Sequence, residues 1–210
     1  MRLVYRGAEA DVFLGQWCGG RAIFKTRKPL DYRLPELDMA IRSQRTVREA
    51  QMIHLAKKAG VSSPFLFYVS APESLLVMQF IEGERLKSVL DSSPPKEAAS
   101  LSEEFGREVA RLHRAGIMHG DLTTSNVIVN DGGLYLIDFG LSVRTSRIED
   151  QAVDLRLIKE TLVGAHNPRS KLLMSSLLDG YSSLLGKEKA LQARRKLVEI
   201  ERRGRYARVE

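Results

Sequence analysis

The sequence is poor in the features that mark several classes of protein. Its 210 residues include one cysteine, Cys18, which excludes an internal disulfide framework and a zinc site built from cysteines, so we interpret Cys18 as a small apolar residue. No apolar run approaches the roughly 18 residues of a membrane-spanning helix. Residues 1–7 also lack the apolar stretch of a secretory signal. We therefore expect a cytoplasmic protein that does not enter a membrane.

The chain does contain enough apolar material for a core, and its charge is unevenly distributed. Hydrophobic residues make up 43% and charged residues 28%, a balance typical of globular proteins. The formal net charge is +7, and residues 187–210 alone carry nine basic and four acidic side chains. Such a basic segment is more often a solvated helix face than a nucleic-acid contact, so composition leaves both interpretations open.

Short apolar runs predict strands in the first part of the chain. Three of them, separated by glycine-containing breaks, fall within residues 2–27 and favour an antiparallel meander. Residues 36–58 then favour a helix with Glu49 on its apolar face. The apolar run 75–81 predicts a buried strand, and the polar residues after it predict a hinge between two lobes.

The rest of the chain predicts helices around one hairpin. A helical stripe is expected over residues 101–112. Within residues 127–137, two apolar runs flank Asn-Asp-Gly-Gly, a strong signal for a tight hairpin. After about residue 150, the spacing of leucines predicts helices only.

The most informative segment spans residues 119–126, which read His-Gly-Asp-Leu-Thr-Thr-Ser-Asn, and Asp138-Phe139-Gly140 follows it. Asp121 and Asn126 have the spacing of a kinase catalytic loop. An aspartate there orients the acceptor hydroxyl, while an asparagine oxygen and a second aspartate hold magnesium. Each residue alone could belong to a hydrogen-bonded turn. Their combination predicts a phosphoryl-transfer site in which Asp121 is catalytic and Asn126 and Asp138 bind the metal.

A site of this kind also needs a cation for the nucleotide phosphates. Ala-Ile-Phe-Lys at residues 22–25 matches the pattern of a strand-borne lysine, so Lys25 is the predicted catalytic cation and Glu49 its ion-pair partner. The phosphate-covering loop is reduced to one glycine, with an acid where the second glycine is expected. Its backbone amides remain available to face phosphate. The predicted loop residues are Gly7, Ala8, Glu9 and Ala10.

Two further groups of side chains complete the prediction. Met78, Phe80 and Ile81, at the end of the apolar run 75–81, are expected to line the adenine pocket. His113 and His166 have no partner at a diagnostic spacing, so we expect them at the surface or in helix packing.

Taken together, these motifs resemble the protein kinase superfamily and, within it, the small atypical kinases of the KEOPS complex, the PRPK family. The matching segments are residues 6–10, Lys25 with Arg27 and Lys28, residues 32–38, 119–126 and 138–142, Glu149 with Asp150, and Asp154 with Leu155. Several of these segments are specific to that branch.

The resemblance implies an α+β, bilobal protein-kinase-like fold, with a β-rich N-lobe over residues 1–83 and a reduced helical C-lobe over 84–210. It also implies an ATPase that uses ATP and magnesium, is capable of autophosphorylation, and supports threonylcarbamoyladenosine modification of tRNA. Its partners would be a threonylcarbamoyl-transferase subunit and a small helical subunit on the N-lobe side.

The C-terminal arginines and two departures from ordinary protein kinases agree with this resemblance. Arg202, Arg203, Arg205 and Arg208 resemble the family's arginine-rich tail, which implies a tRNA contact. Gly120 stands where ordinary kinases carry an arginine that binds a phosphorylated activation loop. No Ala-Pro-Glu sequence follows Gly140, so we expect no complete platform for peptide substrates.

Three alternatives stay open. A RIO-type ribosome-assembly kinase would carry a Ser-Thr-Gly-Lys type of nucleotide loop and no Asp-Phe-Gly, whereas this chain has the reverse. A catalytically silent RNA-binding scaffold would not need the intact set Lys25, Asp121, Asn126 and Asp138. A small-molecule phosphotransferase of the aminoglycoside type shares His-Gly-Asp but usually has another acid in place of Gly140.

Overall fold

The first part of the chain folds into a five-stranded antiparallel sheet with one long helix against it. The computed structural model describes the backbone of residues 1–206 and the side chains of residues 1–203. The strand order is β1-β2-β3-β5-β4. The elements are β1 (Arg2–Arg6), β2 (Ala10–Trp17), β3 (Gly20–Arg27), α1 (Pro35–Lys58), β4 (Leu66–Ser70) and β5 (Leu75–Gln79).

Strand β3 lies in the middle of this sheet and carries the predicted lysine. It pairs with β2 on one side and β5 on the other, so that Lys25 lies opposite Val12 and Leu76. Because side chains alternate between the two faces of a strand, Lys25 and Arg27 point to the same face. Both are buried, and both reach α1.

Helix α1 is held in two different ways along its length. It begins with a proline in its first turn and ends before Gly60, which has φ +81°. In its C-terminal half, Met52, Ile53 and Ala56 are buried in the main apolar core. In the part of the helix before Ala50, the buried residues are polar: Asp38, Thr46 and Glu49.

The second part of the chain is mainly helical. Its elements are β6 (Glu84–Arg85), α2 (Leu86–Ser92), α3 (Pro95–Arg114), β7 (Ile117–Met118), β8 (Val127–Asn130), β9 (Gly133–Leu136), β10 (Val143–Arg144), α4 (Ile148–Ala165), α5 (Ser170–Leu185) and α6 (Lys187–Tyr206). The close approach of α3 and α5 requires Gly106, because a Cβ there would lie 1.9 Å from the carbonyl oxygen of Leu177.

The short strands bring the catalytic-loop region together. Strand β6 joins the β8–β9 hairpin in a three-stranded sheet, while β7 pairs with β10. Residue 83, the predicted lobe boundary, lies directly before β6. The division of the chain into two lobes at this residue stays a prediction.

The α+β fold class is confirmed, as are the opening meander, the long helix, the hairpin and the helical C-terminal part. Strand β4 and helix α2 were not predicted. The basic C-terminal segment forms helix α6 as far as Tyr206, which agrees with the helices predicted after residue 150. Cys18 is exposed in the turn between β2 and β3. Within residues 1–206, no helix combines the length and apolarity that crossing a membrane requires.

Candidate active site

Lys25 is the centre of the site and joins three elements. Its Nζ donates to Glu49 Oε1 on α1 at 2.6 Å and to Asp138 Oδ1, which follows β9, at 2.7 Å. Burial by itself lowers the pKa of Lys25, but the carboxylates of Glu49 and Asp138 outweigh it and raise the pKa above its ordinary value. Lys25 is therefore a fixed positive charge between the sheet, the helix and the residue predicted to hold magnesium.

Arg27 supplies a second cation that the sequence analysis did not assign to the site. Its Nη2 donates to Glu49 Oε2 at 2.5 Å, so both oxygens of the buried Glu49 carboxylate are paired with β3. The spacing of Lys25 and Arg27 could have indicated this role, because residues i and i+2 of a strand share a face. What a single sequence could not show is that α1 offers one carboxylate to both cations.

The catalytic loop holds its asparagine in a defined orientation. Asn126 Nδ2 donates to the backbone oxygen of Asp121 at 2.9 Å and to its Oδ2 at 2.8 Å. Both hydrogen bonds donated by the Asn126 amide thus go to Asp121. Its Oδ1 remains available as a ligand, and an oxygen atom suits a hard cation. The backbone N–H of Ile137 donates to the carbonyl of Asn126 at 3.0 Å, so Asn126 and Asp138 lie at the same open end of the β8–β9 hairpin.

Asp138 has the backbone and the charge of a metal ligand. Its φ is +61°, in the left-handed region that aspartate tolerates better than most residues. The side chain is 47% exposed, so it faces the cleft rather than the core. Burial raises its pKa, but the larger combined effect of Lys25 and the backbone N–H of Gly140 holds the pKa below the ordinary value. An ionised carboxylate beside a free amide oxygen fits the donor set that magnesium prefers.

A buried aspartate on α4 anchors the catalytic loop. Asp154 accepts hydrogen bonds from the backbone N–H groups of His119 at 2.7 Å and Gly120 at 2.9 Å. Its Oδ2 also lies 3.2 Å from His113 Nε2, and His113 Nδ1 lies 2.8 Å from the Tyr181 hydroxyl. His113 is buried in helix packing, one of the two positions expected for it, and its partners lie on α4 and α5, far away in sequence. In the sequence, Asp154 stands out only through the family resemblance, and no local pattern links it to the catalytic loop.

The structure also explains why an arginine is absent after His119. Gly120 has φ +82°, and a Cβ there would lie 2.6 Å from the carbonyl oxygen of Leu141. Only glycine fits both conditions. Burial lowers the pKa of the fully buried His119, which packs against the Phe139 ring at 4.8 Å between centroids. His119 is therefore a neutral packing residue under the loop.

The predicted nucleotide loop is a tight turn between β1 and β2. The Gly7 N–H donates to the Ala10 carbonyl at 2.9 Å, and Lys28 Nζ donates to the Gly7 carbonyl at 2.8 Å. Ala8 is exposed. The Glu9 side chain turns away from the loop and accepts a hydrogen bond from Arg45 on α1.

The predicted adenine-pocket residues divide into two groups. Met78 and Ile81 are buried, and Met78 packs in a small cluster with Ala50 and Leu76. Phe80 is half-buried and carries the Arg21 guanidinium 4.7 Å from its ring centroid.

Three of the four predicted tRNA-binding arginines lie in the described part of the chain, on helix α6 and not on the elements that form the Lys25 site. Arg202 and Arg203 are exposed on α6, which packs against α4 and α5, and Arg203 pairs with Glu199. Arg205 lies within α6. Arg208 lies outside the described residues.

Comparison with known proteins gives close relatives over the full chain. The RIO domain family matches residues 35–156, a range that begins after the nucleotide loop. The chain is 41% identical to KEOPS complex subunit Bud32 of Pyrococcus abyssi, over 98% of this chain and 96% of that protein. It is 36% identical to a probable serine/threonine-protein kinase BUD32 homolog of Archaeoglobus fulgidus, over 97% and 95% of the two chains.

A second kind of relative is a longer protein. A probable bifunctional tRNA threonylcarbamoyladenosine biosynthesis protein of Methanothermobacter thermautotrophicus is 39% identical over 97% of this chain, which spans only 36% of that protein. Among solved structures, Rio2 kinase from Chaetomium thermophilum, in its ADP/Mg2+-phosphoaspartate complex, superposes with a TM-score of 0.65 over 96% of this chain and 72% of that one. The sequence identity is 18%, so this likeness concerns the fold, which is that of a kinase.

Proposed function

The chain belongs to the Bud32 family and contains a RIO domain, and from this premise we propose that it is an atypical serine/threonine kinase and ATPase of a KEOPS complex. In this role it uses ATP and magnesium to support threonylcarbamoyladenosine modification of tRNA, and its site permits autophosphorylation. The tRNA substrate places the reaction in the cytoplasm.

One observation carries the enzymatic part of this proposal. Lys25 is paired at the same time with Glu49 at 2.6 Å and with Asp138 at 2.7 Å. In protein kinases, the strand lysine, the helix glutamate and the magnesium-binding aspartate must all be in place for phosphoryl transfer. A scaffold that had lost catalysis would have no need to keep a lysine buried between two carboxylates.

The residues divide the work of phosphoryl transfer. Lys25 holds the nucleotide phosphates and Asp121 orients the attacking hydroxyl or water. Asn126 Oδ1 and the Asp138 carboxylate would hold magnesium, which neutralises phosphate charge when bound. The loop backbone at Gly7–Ala10 covers the phosphates, and Met78, Phe80 and Ile81 line the adenine site.

The proposed partners follow from the relatives. The bifunctional relatives join a segment similar to this chain to further sequence in one polypeptide. Such a fusion supports contact between this chain and a second catalytic unit, the threonylcarbamoyl-transferase subunit. A small helical subunit on the β-rich side completes the proposed set.

The decisive experiment measures ATP turnover by the purified chain. We expect magnesium-dependent hydrolysis that rises when the transferase subunit and tRNA are both present. A chain that hydrolyses no ATP in any combination would contradict the proposal. Stimulation by ribosomal subunits in place of tRNA and the transferase would favour the RIO-type alternative.

We predict that the C-terminal arginines contribute to tRNA binding. Truncation after Glu201 removes Arg202, Arg203, Arg205 and Arg208, and each lost phosphate contact should flatten the slope of log affinity against log salt by about 0.7. Arg202→Gln with Arg203→Gln should act in the same direction. ATP binding should survive, since none of these residues belongs to the Lys25 site.

The matched control removes the same charge from the other end of the helix. Lys187→Gln with Lys189→Gln neutralises two exposed lysines at the start of α6. If the variant with Arg202→Gln and Arg203→Gln and this control have the same tRNA affinity and salt slope, measured with the transferase subunit present, the tRNA contact is assigned to the wrong residues.

A further inference from the structure

Helix α1 carries a stripe of charges on one face. Asp38, Arg42, Arg45 and Glu49 are spaced at i, i+4, i+7 and i+11, so they lie one above the other on a helix. All four are engaged in ion pairs. Arg45 and Glu49, the two C-terminal residues of this stripe, lie one helical turn apart and face the nucleotide site.

These two residues hold two different parts of that site. Glu49 pairs with Lys25 and Arg27 of β3. Arg45 donates to Glu9 of the nucleotide loop. Arg27 Nη1 also lies 4.0 Å from Glu9 Oε2, so the loop acid and the helix acid face the same buried guanidinium. The loop, β3 and α1 are thus connected through charged side chains.

Glu9 also faces Arg33, which lies in the segment before α1. Arg33 Nη2 lies 3.9 Å from Glu9 Oε1, while Arg33 Nη1 lies 3.6 Å from Asp38 Oδ1. The cavity left among these side chains is about 10 Å³, too small for a separate phosphate beside the Glu9 carboxylate. The arginines therefore serve Glu9 itself and are not a vacant anion site.

The N-terminal half of α1 depends on these pairs because it lacks apolar anchors. Leu37 and Met39 are 54% and 53% exposed, and the buried side chains of this half are polar. Apolar packing begins near Ala50. The position of Arg45 and Glu49 is accordingly set by charge contacts, with the nucleotide loop as one of the attachment points.

We propose that Glu9 is a positioning residue that fastens the nucleotide loop to α1 through Arg45, so that closure of the loop and placement of the Lys25–Glu49 pair are coupled. In glycine-rich loops the second glycine has no side chain with which to make this link, and here Glu9 stands in its place. The inference rests on the proposed function, since ATP is the ligand whose binding it controls.

The test is a double-mutant cycle on nucleotide affinity. Glu9→Gln and Arg45→Gln each remove one charge of the pair, and each should raise the Kd and KM for ATP about three- to tenfold while kcat changes less than about twofold. A loss of folded protein would lower the apparent kcat and leave the Kd unchanged. The double variant should be no weaker than either single variant, because the link is already broken, and Arg45→Lys should restore part of the affinity.

The control and a second readout separate coupling from general damage. Arg48→Gln removes the same charge from an exposed position on the same helix and should leave the Kd unchanged. Without nucleotide, amides of residues 35–49 should exchange hydrogen faster in Glu9→Gln than in the parent, while those of residues 52–58 should not.

The possible results distinguish this inference from the proposed function. A parent chain that binds no ATP overturns both. A parent that binds ATP, together with a Glu9→Gln variant of unchanged Kd, or with single effects that simply add in the double variant, overturns the coupling and leaves the proposed function standing.

Discussion

Asp138→Asn is expected to lower magnesium-dependent ATP hydrolysis by about 10²–10³-fold, because the loss of a metal-binding carboxylate removes several kcal/mol of charge stabilisation in phosphoryl transfer. The variant also takes from Lys25 one of its two carboxylate partners. Asparagine tolerates the φ of +61° at this position, so the backbone does not have to change. Asp138→Ala should reduce hydrolysis at least as strongly.

The fold should survive this substitution. The Asp138 side chain is 47% exposed, and the buried Lys25 keeps its ion pair with Glu49 in the variant, so no buried charge is left without a partner. Thermal unfolding and ATP turnover should therefore be measured on the same preparation. Asp131→Asn, in the exposed turn of the same hairpin, is the matched control and should turn over ATP like the parent. Hydrolysis at the parental rate by Asp138→Asn would show that the metal site is assigned wrongly.

Asp154→Ala should lower the free energy of unfolding by about 3–5 kcal/mol, the usual effect of breaking a fully buried charged network. The side chain has no exposed surface and accepts from the N–H groups of His119 and Gly120 and from His113. Without it, these three buried donors have no acceptor. The catalytic loop should lose its fixed position as well, so ATP turnover per folded molecule should fall.

Two comparisons make this result specific. Asp154→Asn keeps one acceptor oxygen but places an NH2 group against the other donors. Its free energy of unfolding should therefore lie between those of the parent and the alanine variant. Glu160→Gln changes an exposed acid on the same helix and should stay within about 0.5 kcal/mol of the parent in denaturant unfolding. A loss below about 1 kcal/mol for Asp154→Ala would mean that the loop is not anchored through this carboxylate.

The parts of the site that could be predicted are those whose geometry is local. Asp121 and Asn126 lie in one short loop, and one hairpin brings Asn126 and Asp138 to the same end. Lys25 and Glu49 were predicted from a strand pattern and a helix face, and the structure places them 2.6 Å apart. The roles of these residues remain predictions until the variants are measured.

The parts that could not be predicted depend on long-range pairing. Strand β4 is short and forms an edge of the sheet, where it pairs only with β5. The sequence of β4 does not reveal this neighbour. Helix α2 has seven residues, too few for a clear apolar period. The basic C-terminal segment was predicted to be helical, but its packing against α4 and α5 could not be read from its own sequence.

By itself the sequence determined the fold class, the kinase-like loop and the residue types of the site. These depend on spacings of a few residues, over which the backbone can adopt few conformations. Only the tertiary structure decided which charges meet. With 33 basic and 26 acidic side chains in the chain, nothing local assigns Arg27 to Glu49, Arg45 to Glu9 or Asp154 to the catalytic loop. Those partners come together through strand order and helix packing. Burial then makes the pairings of Arg27 and Asp154 obligatory, since a buried charge without a partner is costly, whereas the side chains of Arg45 and Glu9 are 39% and 42% exposed.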